Sequence, residues 1–523
     1  MRGVWIAVGL ACLATSARSQ AASLDLNACA YGDPDARIAA CSLMITSGLP
    51  TKALTAIAYA DRAGAYMKKE LYDAGIADAD QAISLDPALA IAYVNRAAIE
   101  MRQGQFDKAI GDADMALKLN PNSSEAYADR AGAELRVGLL DRAVADAGEA
   151  LRLNPNDSVA YVNRSGAEVK LGRLDNAIAD ASEALRLNSR DAYAYTDRSS
   201  AYGLQGRFDL ALADVNEAIR LAPNLGIAYV SRSFIDIDTG QFDQAISDAT
   251  DAIRLEPHYA PGYVNRADGY LKKGDKEAAE TDATHAISLD PTDAAAYTIR
   301  AAVYAQEGRN DLSIADADHA ISLKPDLAEA HINRSLAYLH LGRYAQSIAD
   351  ASEAIRLKPN LAEAYLDRSA AYGAEGLYDL AIADANKTIS LNPKLAAAYL
   401  SRCVAYTKTE QFDQAIADAS QAISLNPGLA AAYADRAYDY VAKAHASRAD
   451  RRARDTFVDR ALWDVNQALQ LDPHMIGAYV FRAAAHLELG QRTQAIADLR
   501  AGLAVDPGNV QVRAAFKTLG VTP

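Results

Sequence analysis

The sequence predicts an all-α solenoid built from about thirteen copies of one helix-turn-helix unit. Three observations carry this. Proline recurs at 87, 121, 155, 223, 257, 291, 325, 359, 393 and 427, always 34 residues or a multiple of it apart, with Ser189 in the one missed beat. Tyr fills position 4 of the 34-residue unit in twelve copies, with His331 the exception. Gly fills position 15 in ten copies, the left-handed stop that closes a first helix, and the proline at position 32 ends a second. Self-similarity at this period signals stacked repeats, which sets aside the three or four separate domains that 523 residues otherwise suggest.

The elements follow in chain order. Met1-Arg2, the apolar run Val4 to Ala14 and the small residues around Ala17 to Ala21 read as a signal peptide over 1–21, too short to span a bilayer. A lipid-anchored start at Cys12 would need a large aliphatic where Gly9 stands. The expected destination is therefore the periplasm or the exterior. No later run of eighteen apolar residues exists, so no membrane span is expected after cleavage. In an oxidising compartment Cys29 and Cys41, twelve apart, are expected to bridge rather than remain two thiols, stapling an N-terminal cap over 22–55. Within that cap Asp35 to Ser47 matches a second helix without a complete first one. The thirteen repeats span 56–509. Small residues at positions 8, 20, 24 and 27 let two helices approach, and large ones at 4, 11, 21 and 28 fill the remaining space. Pro427 to Pro473 is 46 residues, so one repeat carries a twelve-residue insertion near 444–457. Residues 510–523 read as a capping helix and tail, with Val512, Phe516 and Leu519 inward.

A 34-residue helix-turn-helix repeat with these positions resembles the tetratricopeptide repeat (TPR) family over 56–509. The resemblance implies a right-handed superhelix, with first helices on the concave face and second helices on the convex one. It also implies the usual task of such repeats, holding another polypeptide.

One departure from the family is periodic. Position 7, usually a large aliphatic there, is Arg in all thirteen repeats, and position 23 is Asp in all thirteen. An antiparallel hairpin turning near position 15 sets 7 against 23. Structural pairing of Arg62 with Asp78 and Arg96 with Asp112 is expected, the rival being Asp78 with Arg96 of the next repeat. Four repeats add an acid at position 11: Glu100, Glu134, Glu168 and Asp236. Each lies one turn beyond its Arg and is expected to pair with it and stay ionised.

The groove is expected to use position 6, where Asn95, Asn163, Asn265 and Asn333 alternate with Asp61, Asp129, Asp197, Asp367 and Asp435. Amides both donate and accept, so such a ladder suits the backbone of an extended peptide. The alternative is a solvated face flanking the Arg ladder. Position 13 adds Arg102, Arg136 and Lys170, beside Met101 and Leu135, as a mixed-sign stretch. The insertion holds the densest basic cluster, Arg451, Arg452 and Arg454, which suits an anionic partner or is merely a longer hairpin. Split evenly, it would lengthen each helix by about six residues, or roughly 9 Å. Repeat 7 places Lys276 and Glu280 where most repeats are apolar, so a soft joint is expected near 270–312. Cys403 sits where other repeats carry Ala or Ser and is expected to be buried rather than reactive.

A net charge of −15 spread along the chain disfavours nucleic acid as a partner. No phosphate loop, G-x-S-x-G or H-E-x-x-H motif occurs, and neither a metal nor a cofactor is expected. The expected function is a non-enzymatic scaffold for a protein or peptide. The alternative is an assembly factor of a cell-envelope export, polysaccharide or pilus complex, and an enzyme comes last.

Overall fold

The structure, a computed structural model, describes residues 26–522. The expected signal peptide and Cys12 lie outside the described residues. Two compact units divide at Pro257 and His258, the first holding repeats 1–6 and the second the remainder.

Every repeat forms two helices, and repeat 2 shows why. They run Ala90–Arg102 and Phe106–Leu119. The first stops where Gly104 takes φ +73°. Gly104 N–H donates to Met101 O at 3.2 Å and Gln105 N–H reaches back to Glu100 O at 2.8 Å, satisfying carbonyls the helix leaves open. Glu70 and Glu410 hold the same left-handed conformation in repeats 1 and 11, at a strain of roughly 1–2 kcal/mol each. The second helix ends at Leu119, where Asn120 N–H still bonds Ala116 O and Pro121 has no N–H to continue. The position-4 tyrosine then fastens the turn before it: Tyr229 OH donates to Pro223 O and Tyr479 OH to Pro473 O, each at 3.1 Å. His331, the exception, puts Nε2 3.3 Å from Pro325 O and fills the same role.

Between helices, alanine sets the distance. Ala97, Ala109, Ala113 and Ala116 are fully buried, and the same positions are buried along the chain. Where position 8 is Ser, its hydroxyl returns to the second helix, as Ser199 Oγ does to Ala211 O at 2.7 Å. Within each unit, consecutive first helices touch one another, whereas second helices meet only first helices. The first-helix side is therefore the inner one in each unit.

One guanidinium ties each repeat together. Arg at position 7 pairs with Asp at position 23 of its own repeat in all thirteen, at 2.5–2.7 Å. In repeat 6, Arg232 Nε and a terminal nitrogen take both oxygens of Asp248 at 2.6 and 2.8 Å. The other terminal nitrogen crosses to position 25 of the preceding repeat: Arg96 to Asp80 at 2.6 Å, Arg232 to Asn216 at 2.9 Å, Arg368 to Ser352 at 3.0 Å. The guanidinium also lies over the position-4 Tyr ring in all twelve repeats that have one, at 5.4–5.9 Å. These twelve make up nearly half of the 27 tyrosines, against 8 Phe and 2 Trp.

The ends are closed. Helices Leu26–Tyr31 and Pro34–Ser47 form the N-terminal cap, joined by a Cys29–Cys41 disulfide that packs with Met44 and Ala58. The first helix of repeat 1 begins at Lys52, a turn earlier than its repeat register, because Thr51 Oγ1 accepts from Leu54 N–H at 3.2 Å. At the other end Val510–Thr518 buries Val512 and Phe516 completely. The insertion is an extended hairpin of Ala430–Ala446 and Arg451–Leu471, 17 and 21 residues where the neighbouring repeat has 13 and 14. The split is uneven because Asp450 caps the second helix through Ala453 N–H at 3.1 Å, fixing the turn ahead of it. Among the described residues no helix is long and apolar enough to cross a membrane.

Replacing Asp248 by Ala strands a half-buried guanidinium, so we expect a loss of about 3–5 kcal/mol in local stability around repeat 6. Adding Arg232→Leu, the aliphatic usual in such repeats, is expected to restore most of it. Native-state hydrogen exchange over 226–259 reads both. Unchanged exchange in the single variant would show that the ion pair contributes nothing.

Candidate partner-binding face

The inner face is made by first helices, so position 6 lies along it, but its amides are already engaged. Asn95 Nδ2 donates to Ala60 O at 2.7 Å, Asn163 Nδ2 to Ala128 O at 2.9 Å and Asn333 Nδ2 to Thr298 O at 2.9 Å. Each acceptor is position 5 of the preceding first helix. The expected donors to a peptide thus staple adjacent repeats instead, leaving the amide oxygen as the group a ligand would meet. The packing is close: a Cβ at Gly132 would stand 3.1 Å from Asn163 Nδ2, and one at Gly64 3.2 Å from Asn95 Oδ1. Asn265 occupies the same register in repeat 7.

Aspartate in this register stands where the amide donates toward a carbonyl, a setting that suits its neutral form. Burial accordingly raises all five. Asp61 and Asp435 move up to about 6, Asp129 to about 7, and Asp197 and Asp367 to about 8. The bases at position 13 answer some of them. Arg102, Arg136 and Lys170 are exposed; Arg102 acts on Asp129, and Arg136 with Lys170 on Asp197. Although its surface is open, loss of water around the Lys170 ammonium, then the neighbouring Arg136, holds it below its ordinary value. Apolar side chains are also open on this face, with Val159, Tyr193 and Leu204 between 43 and 54% exposed in the first unit and Val404 and Tyr438 about 40% in the second. Tyr438 meets Phe481 edge-on at 5.3 Å.

The position-11 acids depart from expectation. The donors of Arg96 go to Asp112 and Asp80, and Glu100, 7% exposed, faces Asp112 with its Oε2 unpartnered. Burial first, then the Asp112 carboxylate, pushes Glu100 up to about 7. Glu134, fully buried with Arg142 2.6 Å away, and Glu168 move upward for the same reasons, and Asp236 rises to about 6. The i,i+4 rule fails here because each Arg gives Nε and a terminal nitrogen to its position-23 Asp instead.

The basic insertion is partly self-paired. Arg454 bonds Asp455 at 2.8 Å, Arg451 lies 3.7 Å from the same carboxylate, and Arg452 is exposed. Arg448 and His445 both reach Glu488 on the next first helix, at 2.7 and 2.9 Å, so the hairpin is anchored to the final repeat. In repeats 7 and 8 the polar substitutions make their own network. Glu280 accepts from Tyr304 OH at 3.0 Å and from Arg309 at 2.7 Å, and Lys276 Nζ donates to Gln306 O at 3.0 Å. Cys403 is fully buried; its thiol donates to Asp439 at 3.8 Å, and burial with the nearby acids pushes it far up. Among the described residues no group of three or more His, Cys, Asp or Glu is placed to hold a metal.

Four family models, each described as tetratricopeptide repeat, match residues 90–123, 328–361, 164–225 with 264–328, and 56–89 with 396–429, together half of the chain. Among solved structures, the crystal structure of the APC/C hetero-tetramer Cut9-Hcn1 aligns with a TM-score of 0.60 at 14% identity, covering 88% of this chain and 96% of that one. That likeness shows the fold. Among curated proteins none matches the chain.

The raised carboxyls set a pH dependence. An acid whose folded pKa lies above its unfolded value stabilises fully below the unfolded value and loses that contribution as pH rises to the folded one. For Glu100 the window runs from about 4.5 to about 7, worth on the order of 3 kcal/mol at most. The stability of Glu100→Gln relative to the parent is therefore expected to rise between those pH values and level off above them. Urea titrations across the window test this; a difference independent of pH would mean Glu100 is ionised when folded.

Proposed function

From its membership of the tetratricopeptide repeat family, we propose that the chain is a non-enzymatic scaffold holding a polypeptide along the inner, first-helix face. One observation carries this reading. The inner face combines half-open apolar side chains with amide oxygens and raised carboxyls at a repeating interval, which is the mixed lining an extended chain requires. The second-helix side also exposes leucines at position 19, such as Leu210 and Leu380, but its exposed acids and bases pair with one another three residues apart, as Glu217 with Arg220 and Glu353 with Arg356.

We further assign the chain to an oxidising, exported location. The leader-like opening sequence and the Cys29–Cys41 disulfide support this assignment, since such bridges persist outside reducing cytosol.

Tyr193 on a first helix and Leu210 on a second are both 43% exposed, which makes a matched test. A photo-crosslinking amino acid at Tyr193 is expected to capture a polypeptide in the native setting that the same group at Leu210 does not. Equal capture at both, or capture at Leu210 alone, would sink the inner-face reading.

A further inference from the structure

Four of the five aspartates at position 6 have a cation at hand. Arg37 of the cap lies 3.6 Å from Asp61. Arg102 acts on Asp129, Lys170 and Arg136 on Asp197, and Lys408 on Asp435. For those last three a base stands at position 13 of the preceding repeat: Arg102, Lys170 and Lys408.

Asp367 breaks the pattern. Position 13 of the preceding repeat is His340, and its Nδ1 lies 3.2 Å from Asn310 Oδ1, on the second helix of the repeat before. Asp367 is only 7% exposed, and its buried Oδ2 has no hydrogen-bond partner. The charged neighbour acting on it is a second acid, Glu363, one turn earlier on the same helix. Beside it by register is Leu336, half-buried; the equivalent residue in the first unit, Gly166, would bring a Cβ within 3.5 Å of Asp197 Oδ2. The site therefore offers an unsatisfied carboxyl, a second acid and an apolar wall, with neither a register base nor a cap arginine to answer it.

We propose that the first-helix face around Asp367 and Glu363 takes the cationic side chain, Lys or Arg, of an extended polypeptide. This rests on the scaffold reading above and adds the chemistry of what is held. The ammonium or guanidinium occupies the place that Lys408 holds for Asp435, and its aliphatic stem lies against Leu336. Burial keeps the Asp367 carboxyl protonated up to about 8, so the incoming cation displaces that proton and completes the pair, and this position sets preference and not merely attraction.

The test uses the full chain and three labelled peptides of one length, differing only in a central Lys-Leu-Lys, Ser-Leu-Ser or Glu-Leu-Glu, read by fluorescence anisotropy. The Lys peptide is expected to bind about tenfold or more tightly than the Ser peptide. Asp367→Asn, which copies Asn333 one repeat earlier and so preserves the fold, removes that advantage. Asp435→Asn leaves it within about twofold. His340→Lys supplies the missing base from within and also removes the advantage. Equal binding of the Lys and Ser peptides, or an advantage that survives Asp367→Asn, overturns the assignment. If the Ser or Glu peptide binds while Lys brings no gain, the cation assignment falls and the scaffold reading stands. If none of the three binds, both fall.

Discussion

The fold depends on one guanidinium per repeat, whose donors reach across to other helices. Two go to an aspartate across the hairpin and one to a polar group on the repeat before, while a tyrosine ring covers the face. Removing a charge from water is costly unless it is paired and hydrogen-bonded, and here each guanidinium meets a carboxylate at 2.5–2.7 Å. Lysine would not serve, since it lacks the planar fork that spans both carboxylate oxygens. The same contact thus closes each unit and joins it to its neighbour, doing by geometry what an aliphatic side chain at this position does by burial.

That engagement explains what surrounds it. Because Arg96 gives its donors to Asp112 and Asp80, Glu100 one turn away gets none of them and retains a proton into the neutral range. Because the helices approach on alanine, the position-6 side chains are pressed against the neighbouring backbone. Asparagine there donates, and aspartate becomes a stronger base than its exposed counterparts. The inner face is accordingly less charged at neutral pH than the formal count of its carboxyls suggests, which bears directly on what it attracts.

Much of this was legible in the sequence, and the boundary has a physical cause. Hairpin register follows from where the chain turns, so Arg62 opposite Asp78 could be read from spacing alone. Contacts between repeats depend on the angle at which one hairpin stacks on the next, which no period encodes. For that reason Asn95 and its equivalents read as ligand contacts although their amides serve the neighbouring repeat. The acceptors at position 25 do carry a signal in the sequence: Asp80, Asp114, Ser182, Asn216 and Thr284 are all small and polar or acidic, and Gly148 interrupts the set, where a Cβ would stand 3.9 Å from Arg164 Nη1. The uneven insertion turned on a single cap, Asp450, amid several residues able to start a helix.

Since each arginine finds its aspartate inside its own repeat and takes Asp, Asn, Thr or Ser alike from the repeat before, no copy needs a particular neighbour to be whole. A coding segment that gains or loses one such block by misaligned recombination yields a chain whose new seam has the same chemistry as the old ones. Length is then a quantity that heredity can adjust in steps without redesign. What cannot be exchanged so freely are the parts that differ, the disulfide-held opening and the long twelfth hairpin.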